Sequence, residues 1–160
     1  MVAAGGLLRQ PLFSGVPCMN VPKRVLFVCV ENANRSQMAE AFARILGGDA
    51  VEAFSAGSRP SGIVNPKAIS AMAELGYDLA AHGSKSLAAL PDEEFDLVAT
   101  MGCGDSCPHV RAKQRLDWTI PDPKHMPPDE FRGIRDLIRD KVHAALTELG
   151  LDGLRTSRRP

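Results

Sequence analysis

The chain has 160 residues, 44% of them hydrophobic and 24% charged, with 19 Lys and Arg balanced by 19 Asp and Glu. That is the composition of one ordinary globular domain, able to bury a core without staples. A zero net charge lacks the basic excess of a nucleic-acid binder, and no apolar run approaches the roughly 20 residues needed to span a bilayer.

Residues 1–22 carry neither a basic start nor a long apolar stretch, so they do not read as a secretion signal. Gly and Pro punctuate them, and they are expected to form a mobile extension ahead of a domain at 23–150, with 151–160 a polar tail. The four cysteines are Cys18, Cys29, Cys103 and Cys107. Without a secretion signal the expectation is a cytoplasmic protein whose thiols are reactive or metal-binding rather than paired in structural disulfides. Cys18, in the extension, is read as incidental.

In chain order, residues 24–29 (RVLFVC) suit a buried strand. A polar turn at 31–34 follows. Met38, Ala39, Phe42, Ala43, Ile45 and Leu46 then recur at helical spacing until Gly47-Gly48. Residues 51–55 read as a second strand and 56–60 as a loop. A helix is predicted over 66–75, with Pro66 suited to its first turn and Gly76 to its end. A further helix is expected near 86–90, a third strand at 95–101, a loop at 102–108 and a fourth strand at 115–118. The proline-rich stretch 120–128 is irregular. Phe131, Ile134, Leu137, Ile138, Val142, Ala145, Leu146 and Leu149 mark a long amphipathic helix. Strands alternating with helices predict an α/β fold, a four-stranded parallel sheet covered on both faces. Ligands bind such sheets beyond the carboxyl ends of the strands, where Cys29 and Cys103 both fall.

The motif that carries chemistry is Cys29-Val30-Glu31-Asn32-Ala33-Asn34-Arg35-Ser36, lying between a strand and a helix. A loop of this length can turn the backbone N–H groups of Glu31 to Ser36 inward as an anion nest, reinforced by the positive end of the helix. Arg35 offers a planar fork for two oxygens of a tetrahedral oxyanion. Positive surroundings favour the thiolate of Cys29, and Ser36 can donate a hydrogen bond to the sulfur when it must leave. The competing reading, a small buried cysteine beside a solvated arginine, does not account for the strand–loop–helix context.

Residues 25–44, VLFVCVENANRSQMAEAFAR, resemble the opening of low-molecular-weight phosphotyrosine phosphatases and, more closely, of the arsenate reductases that share their fold. Phe54-Ser55-Ala56-Gly57-Ser58, His82-Gly83-Ser84-Lys85-Ser86, Met101-Gly102-Cys103-Gly104-Asp105 and Pro121-Asp122-Pro123 resemble later family segments in family order, so the likeness covers 23–150. It implies a three-layer, Rossmann-like α/β sandwich. It makes Cys29 the nucleophile, Arg35 the oxyanion clamp and Asp122 the general acid that protonates the leaving oxygen. Asn32, Ser36, Ser55 and His82 become the network that holds the loop in shape. Two positions depart from the family pattern: Glu31, where the phosphatases commonly carry glycine, and Asn34, where a small residue or cysteine is usual.

The two activities diverge after the first step. A phosphatase frees the cysteine with water; a reductase uses a second thiol, releases arsenite and leaves a disulfide. Cys103 and Cys107 are the candidate resolving and relay thiols, in a sequence, MGCGDSCP, that looks most like the branch using a low-molecular-weight thiol. The resemblance therefore implies an external reductant, whether thioredoxin, glutaredoxin with glutathione, or mycothiol with mycoredoxin, and no tightly bound cofactor. Arsenate is the expected substrate, with phosphate or sulfate as mimics. Zinc at Cys103, Cys107 and His109 competes as a reading, but its spacing is loose and lacks a second convincing pair. The tyrosines that line a phosphotyrosine slot after the Asp-Pro step are missing, since Pro123 is followed by Lys124-His125-Met126. Arsenate reduction is therefore the leading expectation and phosphoester hydrolysis the alternative.

Overall fold

The structure, a computed structural model, describes residues 21–102 and 110–151. Its elements run β1 (Lys23–Cys29), α1 (Arg35–Gly47), β2 (Val51–Gly57), α2 (Pro66–Ala73), β3 (Phe95–Thr100), β4 (Ala112–Asp117) and α3 (Pro128–Glu148). The four strands form one sheet in the order β2-β1-β3-β4, and every pairing is parallel. This is the four-stranded parallel α/β architecture that the strand–helix alternation predicts.

β1 shows why the sheet must be covered on both sides. Val25, Phe27 and Cys29 enter one apolar cluster with residues of α1, α2 and α3, such as Phe42, Met72 and Leu146. The alternate residues Leu26 and Val28 enter a second cluster with Phe95 and Val98, covered by Leu87 and Leu90. A strand buried on both faces reads as a continuous apolar run rather than an alternating one, and 25–29 does so. α1 is buried over most of its circumference, from Arg35 to Ala43, because it lies beneath both the site and α3.

Three local expectations shift. β2 continues through Ala56 and Gly57, which pair with Val28 and Cys29, so the loop expected at 56–60 starts later. The helix expected near 86–90 is a three-residue 3-10 turn, Leu87–Ala89. Pro91 disfavours helical geometry at Leu90 and stops propagation. β4 starts three residues before the strand expected at 115–118, since Lys113 and Arg115 dilute its apolar signal. Both are on an edge strand, where charge blunts pairing with other chains.

The chain leaves β1 towards β2 on one side and later crosses to β3 on the other. The crevice of a doubly wound sheet opens at such a reversal, at the strands' carboxyl ends. Cys29 closes β1 at that point and Gly102 follows β3 there.

Candidate active site

The loop between Cys29 and Arg35 is best understood through its carbonyls. Those of Cys29, Val30, Glu31 and Ala33 accept hydrogen bonds from the backbone N–H groups of Ser58, Arg59, Ser61 and Asn65. That of Asn32 accepts from Gln37 Nε2 and that of Asn34 from the N–H of Met38. None of these donors borders the small cavity formed by Cys29, Val30, Glu31, Ala33, Asn34, Arg35 and Asp122. In a trans peptide the N–H points opposite to the preceding C=O. Six carbonyls held outward therefore turn the following amides towards the cavity, which is the geometry of an anion nest.

The sulfur sits inside this ring, and a chain of hydrogen bonds fixes which groups point at it. The backbone N–H of Lys85, which can only donate, reaches Asn32 Oδ1 at 2.9 Å. That fixes the Asn32 amide, whose Nδ2 donates to Ser36 Oγ at 2.8 Å. The Ser36 hydroxyl must then turn its own hydrogen elsewhere, and Cys29 Sγ lies 2.9 Å away. The N–H of Asn32 donates to the same sulfur at 3.3 Å. Cys29, only 2% exposed, thus has two donors converging on it. Asn32 adopts φ 50°, in the left-handed region that Asn tolerates better than most residues.

A second tier holds Asn32. Gln37 Nε2 donates to Asn32 Oδ1 at 2.9 Å and to the Gly83 carbonyl at 3.0 Å. With the amide so oriented, Gln37 Oε1 accepts from His82 Nδ1 at 2.9 Å. His82 Nδ1 also lies 2.6 Å from the buried carboxylate of Glu40, and its Nε2 faces the Tyr77 hydroxyl at 2.6 Å. Burial works to raise the pKa of Glu40. The hydrogen bond and charge of His82, with Lys85 and Arg44, outweigh it and hold the carboxyl below its ordinary value.

Arg35 is buried and anchored by Nη1, which donates to the Ile120 carbonyl at 2.9 Å. It makes no ion pair among the described residues. Gly102, at φ 77°, passes so close that an added Cβ would stand 2.9 Å from Arg35 Nη1. Asp122 borders the cavity on its solvent side, one carboxylate oxygen accepting from the N–H of Lys124 at 3.1 Å.

The structure thus brings together Cys29, Glu31, Ala33, Asn34, Arg35 and Asp122 around one cavity, with Asn32 and Ser36 on the sulfur and His82 behind Asn32 through Gln37. Ser55 is more distant from the loop, its hydroxyl meeting Lys85 Nζ at 3.4 Å. Asn34 is buried with Oδ1 unpartnered among the described residues. Cys103 and Cys107, like His109, lie outside the described residues. Sequence reading missed Gln37, Glu40, Tyr77, Lys85 and Lys124. Gln37 and Glu40 did carry a signal, as polar positions embedded in a helix otherwise rich in apolar residues.

A cysteine and an arginine at the two ends of an amide-lined loop, set at the switch point of a parallel sheet, define a class of cysteine-centred, anion-cradling α/β proteins. Residues 24–154 match the low molecular weight phosphotyrosine protein phosphatase family, and the chain belongs to it. A curated relative, the glutaredoxin arsenate reductase of Synechocystis sp., is 33% identical over 130 residues, covering 79% of this chain and 98% of that protein. A solved arsenate reductase in a phosphate-binding state superposes with a TM-score of 0.73 at 33% identity, over 79% of this chain and 98% of that one. A thioredoxin-dependent arsenate reductase of Corynebacterium glutamicum gives a TM-score of 0.66 at 33% identity, over 86% of this chain and 66% of that one.

Proposed function

We propose that the protein is an arsenate reductase that works through a covalent adduct on Cys29. The observation that carries this is the convergence of the Asn32 N–H and the Ser36 hydroxyl on Cys29 Sγ, inside a loop whose carbonyls face away, with a guanidinium at its end that makes no ion pair among the described residues. Relatives named as arsenate reductases across most of the chain support the same reading.

In this reading the inward amides and Arg35 bind arsenate, and the Cys29 thiolate attacks arsenic to form a sulfur–arsenic bond. Asp122 protonates the departing oxygen, which leaves as water. A second thiolate, from Cys103 or a small external thiol, then attacks Cys29 Sγ. The sulfur–arsenic electron pair passes to arsenic, which leaves as arsenite, and a disulfide takes its place. Arsenic gains two electrons and the two sulfurs lose them. Cys107 serves as the relay in the internal route, and an external dithiol or small-thiol system restores the reduced enzyme.

The phosphatase alternative shares the first step, and the family allows it. Against an aryl phosphate slot stands the lining of the cavity, which includes no aromatic residue among the described residues: Trp118 is buried against Phe27, and Tyr77 is engaged by His82. Thioredoxin, glutaredoxin and mycothiol systems, supplied in parallel to wild type, Cys29→Ser, Cys103→Ser and Cys107→Ser, test the proposal. Arsenate-dependent consumption of reducing equivalents by wild type, abolished in Cys29→Ser, is the expected result. Phosphoester hydrolysis without arsenate reduction in any system would overturn it.

A further inference from the structure

Glu31 places a carboxylate on a loop that otherwise gathers positive potential. It is not left facing the cavity unpaired: Lys124 Nζ lies 3.1 Å from Oε1 and 3.3 Å from Oε2, a two-oxygen contact across 93 residues of sequence. The pair joins the loop after β1 to the segment that carries Asp122. Glu31 and Asp122 both border the cavity, and Lys124 lies two residues beyond Asp122. Both side chains of the pair are partly exposed, at 37% and 44%, whereas Cys29 is 2% exposed, so the bridge lies on the solvent side of the sulfur. The segment behind Lys124 is tied down as well. Its N–H donates to Asp122, its carbonyl accepts from Lys67 Nζ at 3.1 Å, and Met126 accepts from the same ammonium at 3.5 Å. Swinging the backbone away would break these contacts, leaving the Lys124 side chain as the part that must move.

We propose that the Glu31–Lys124 ion pair is a specificity-determining strap at the mouth of the cavity, admitting a bare tetrahedral oxyanion and disfavouring one that carries a bulky organic group. The inference rests on the reading of the cavity as an oxyanion site. A free oxyanion needs only the space between the nest and Arg35. An ester must project its organic group outwards, where the strap joins the two segments, and must break the pair to do so. The same pair neutralises Glu31, which would otherwise repel an incoming anion.

Inorganic phosphate and phenylphosphonate, titrated into wild type and Glu31→Ala/Lys124→Ala and followed by amide chemical shifts, test the strap. The double variant removes one charge of each sign, and both ligands are anions, so the ratio of their affinities reports access to the mouth rather than net charge. An exposed pair limits the expected change to about two- to fivefold in favour of phenylphosphonate. Glu31→Lys/Lys124→Glu, which rebuilds the bridge with its ends exchanged, should return the ratio towards wild type. Should the double variant fail to fold, Lys124→Met breaks the strap and leaves Glu31 unpaired, which weakens both anions alike and should move their ratio the same way. Phosphate binding with an unchanged ratio in the folded strap-free protein would overturn the strap while leaving the oxyanion site intact. Absence of phosphate binding to wild type would overturn the site itself, and the strap with it.

Discussion

Replacing Asn32 tests how the oxyanion loop is held, because one side chain carries both its backbone conformation and its hydrogen-bond order. In Asn32→Ala the N–H of Lys85 loses its acceptor and Ser36 loses the donor that orients its hydroxyl. Gln37 Nε2 keeps the Asn32 and Gly83 carbonyls, so its loss is small. One poorly satisfied backbone N–H costs about 1–3 kcal/mol. Holding alanine at φ 50° costs about 1–2 kcal/mol more. The variant should therefore lose about 2–5 kcal/mol of stability. Asn32→Gly loses the same hydrogen bonds but accepts the left-handed backbone, so it should recover about 1 kcal/mol despite being smaller. Denaturant unfolding of the three proteins gives the stabilities, and phosphate titration should show weaker binding in both variants. Glycine no more stable than alanine at this position, with both within about 0.5 kcal/mol of wild type, would refute the reasoning.

Other positions give independent checks. In Gly57→Ala the new Cβ would meet the Val30 carbonyl oxygen at 2.6 Å and Asn32 N at 3.0 Å, both backbone atoms of the loop. Phosphate affinity should fall about tenfold or more even where the variant remains folded by circular dichroism, since about 1.4 kcal/mol of loop distortion suffices. Gly102→Ala puts its Cβ against Arg35 Nη1, the atom held by the Ile120 carbonyl, and strains a positive φ. Stability should fall by about 1 kcal/mol in thermal unfolding, with oxyanion affinity also reduced as the guanidinium is displaced. Glu40 has its pKa depressed by folding, so its ionised form adds stability above its ordinary value of 4.5 that is lost as pH falls through the lower folded value. Glu40→Gln should be less stable than wild type at pH about 6 in thermal melts, and the gap should narrow below about pH 4.

Much of the fold was legible because its central strand is apolar on both faces and the following helix starts directly after a polar loop. The placement of the cysteine and arginine at the two ends of that loop was legible for the same reason, since it depends on local chain geometry. The network behind them was not. Gln37 and Glu40 reach His82 across 45 and 42 residues of sequence and Lys85 reaches Asn32 across 53, and a helix buried almost all round marks Gln37 and Glu40 as engaged without showing their partners. Glu31 was visible as an anomaly, but its partner Lys124 is brought near only by the crossing of the chain to the far side of the sheet. The edge strand β4 was blurred by its charges, and the short turn at Leu87–Ala89 by a run of helix-favouring residues cut off at Pro91.

At the root of the account is a reactive sulfur lying inside an oxyanion cradle closed by Arg35. The direct measurement is the rate of alkylation of Cys29 by iodoacetamide at neutral pH, localised by peptide mass spectrometry, with and without phosphate or arsenate. Rapid labelling of Cys29, slowed by either oxyanion in wild type but not in Arg35→Ala, is the predicted result. A Cys29 that resists labelling, or labels at one rate whatever oxyanion is present, would contradict it.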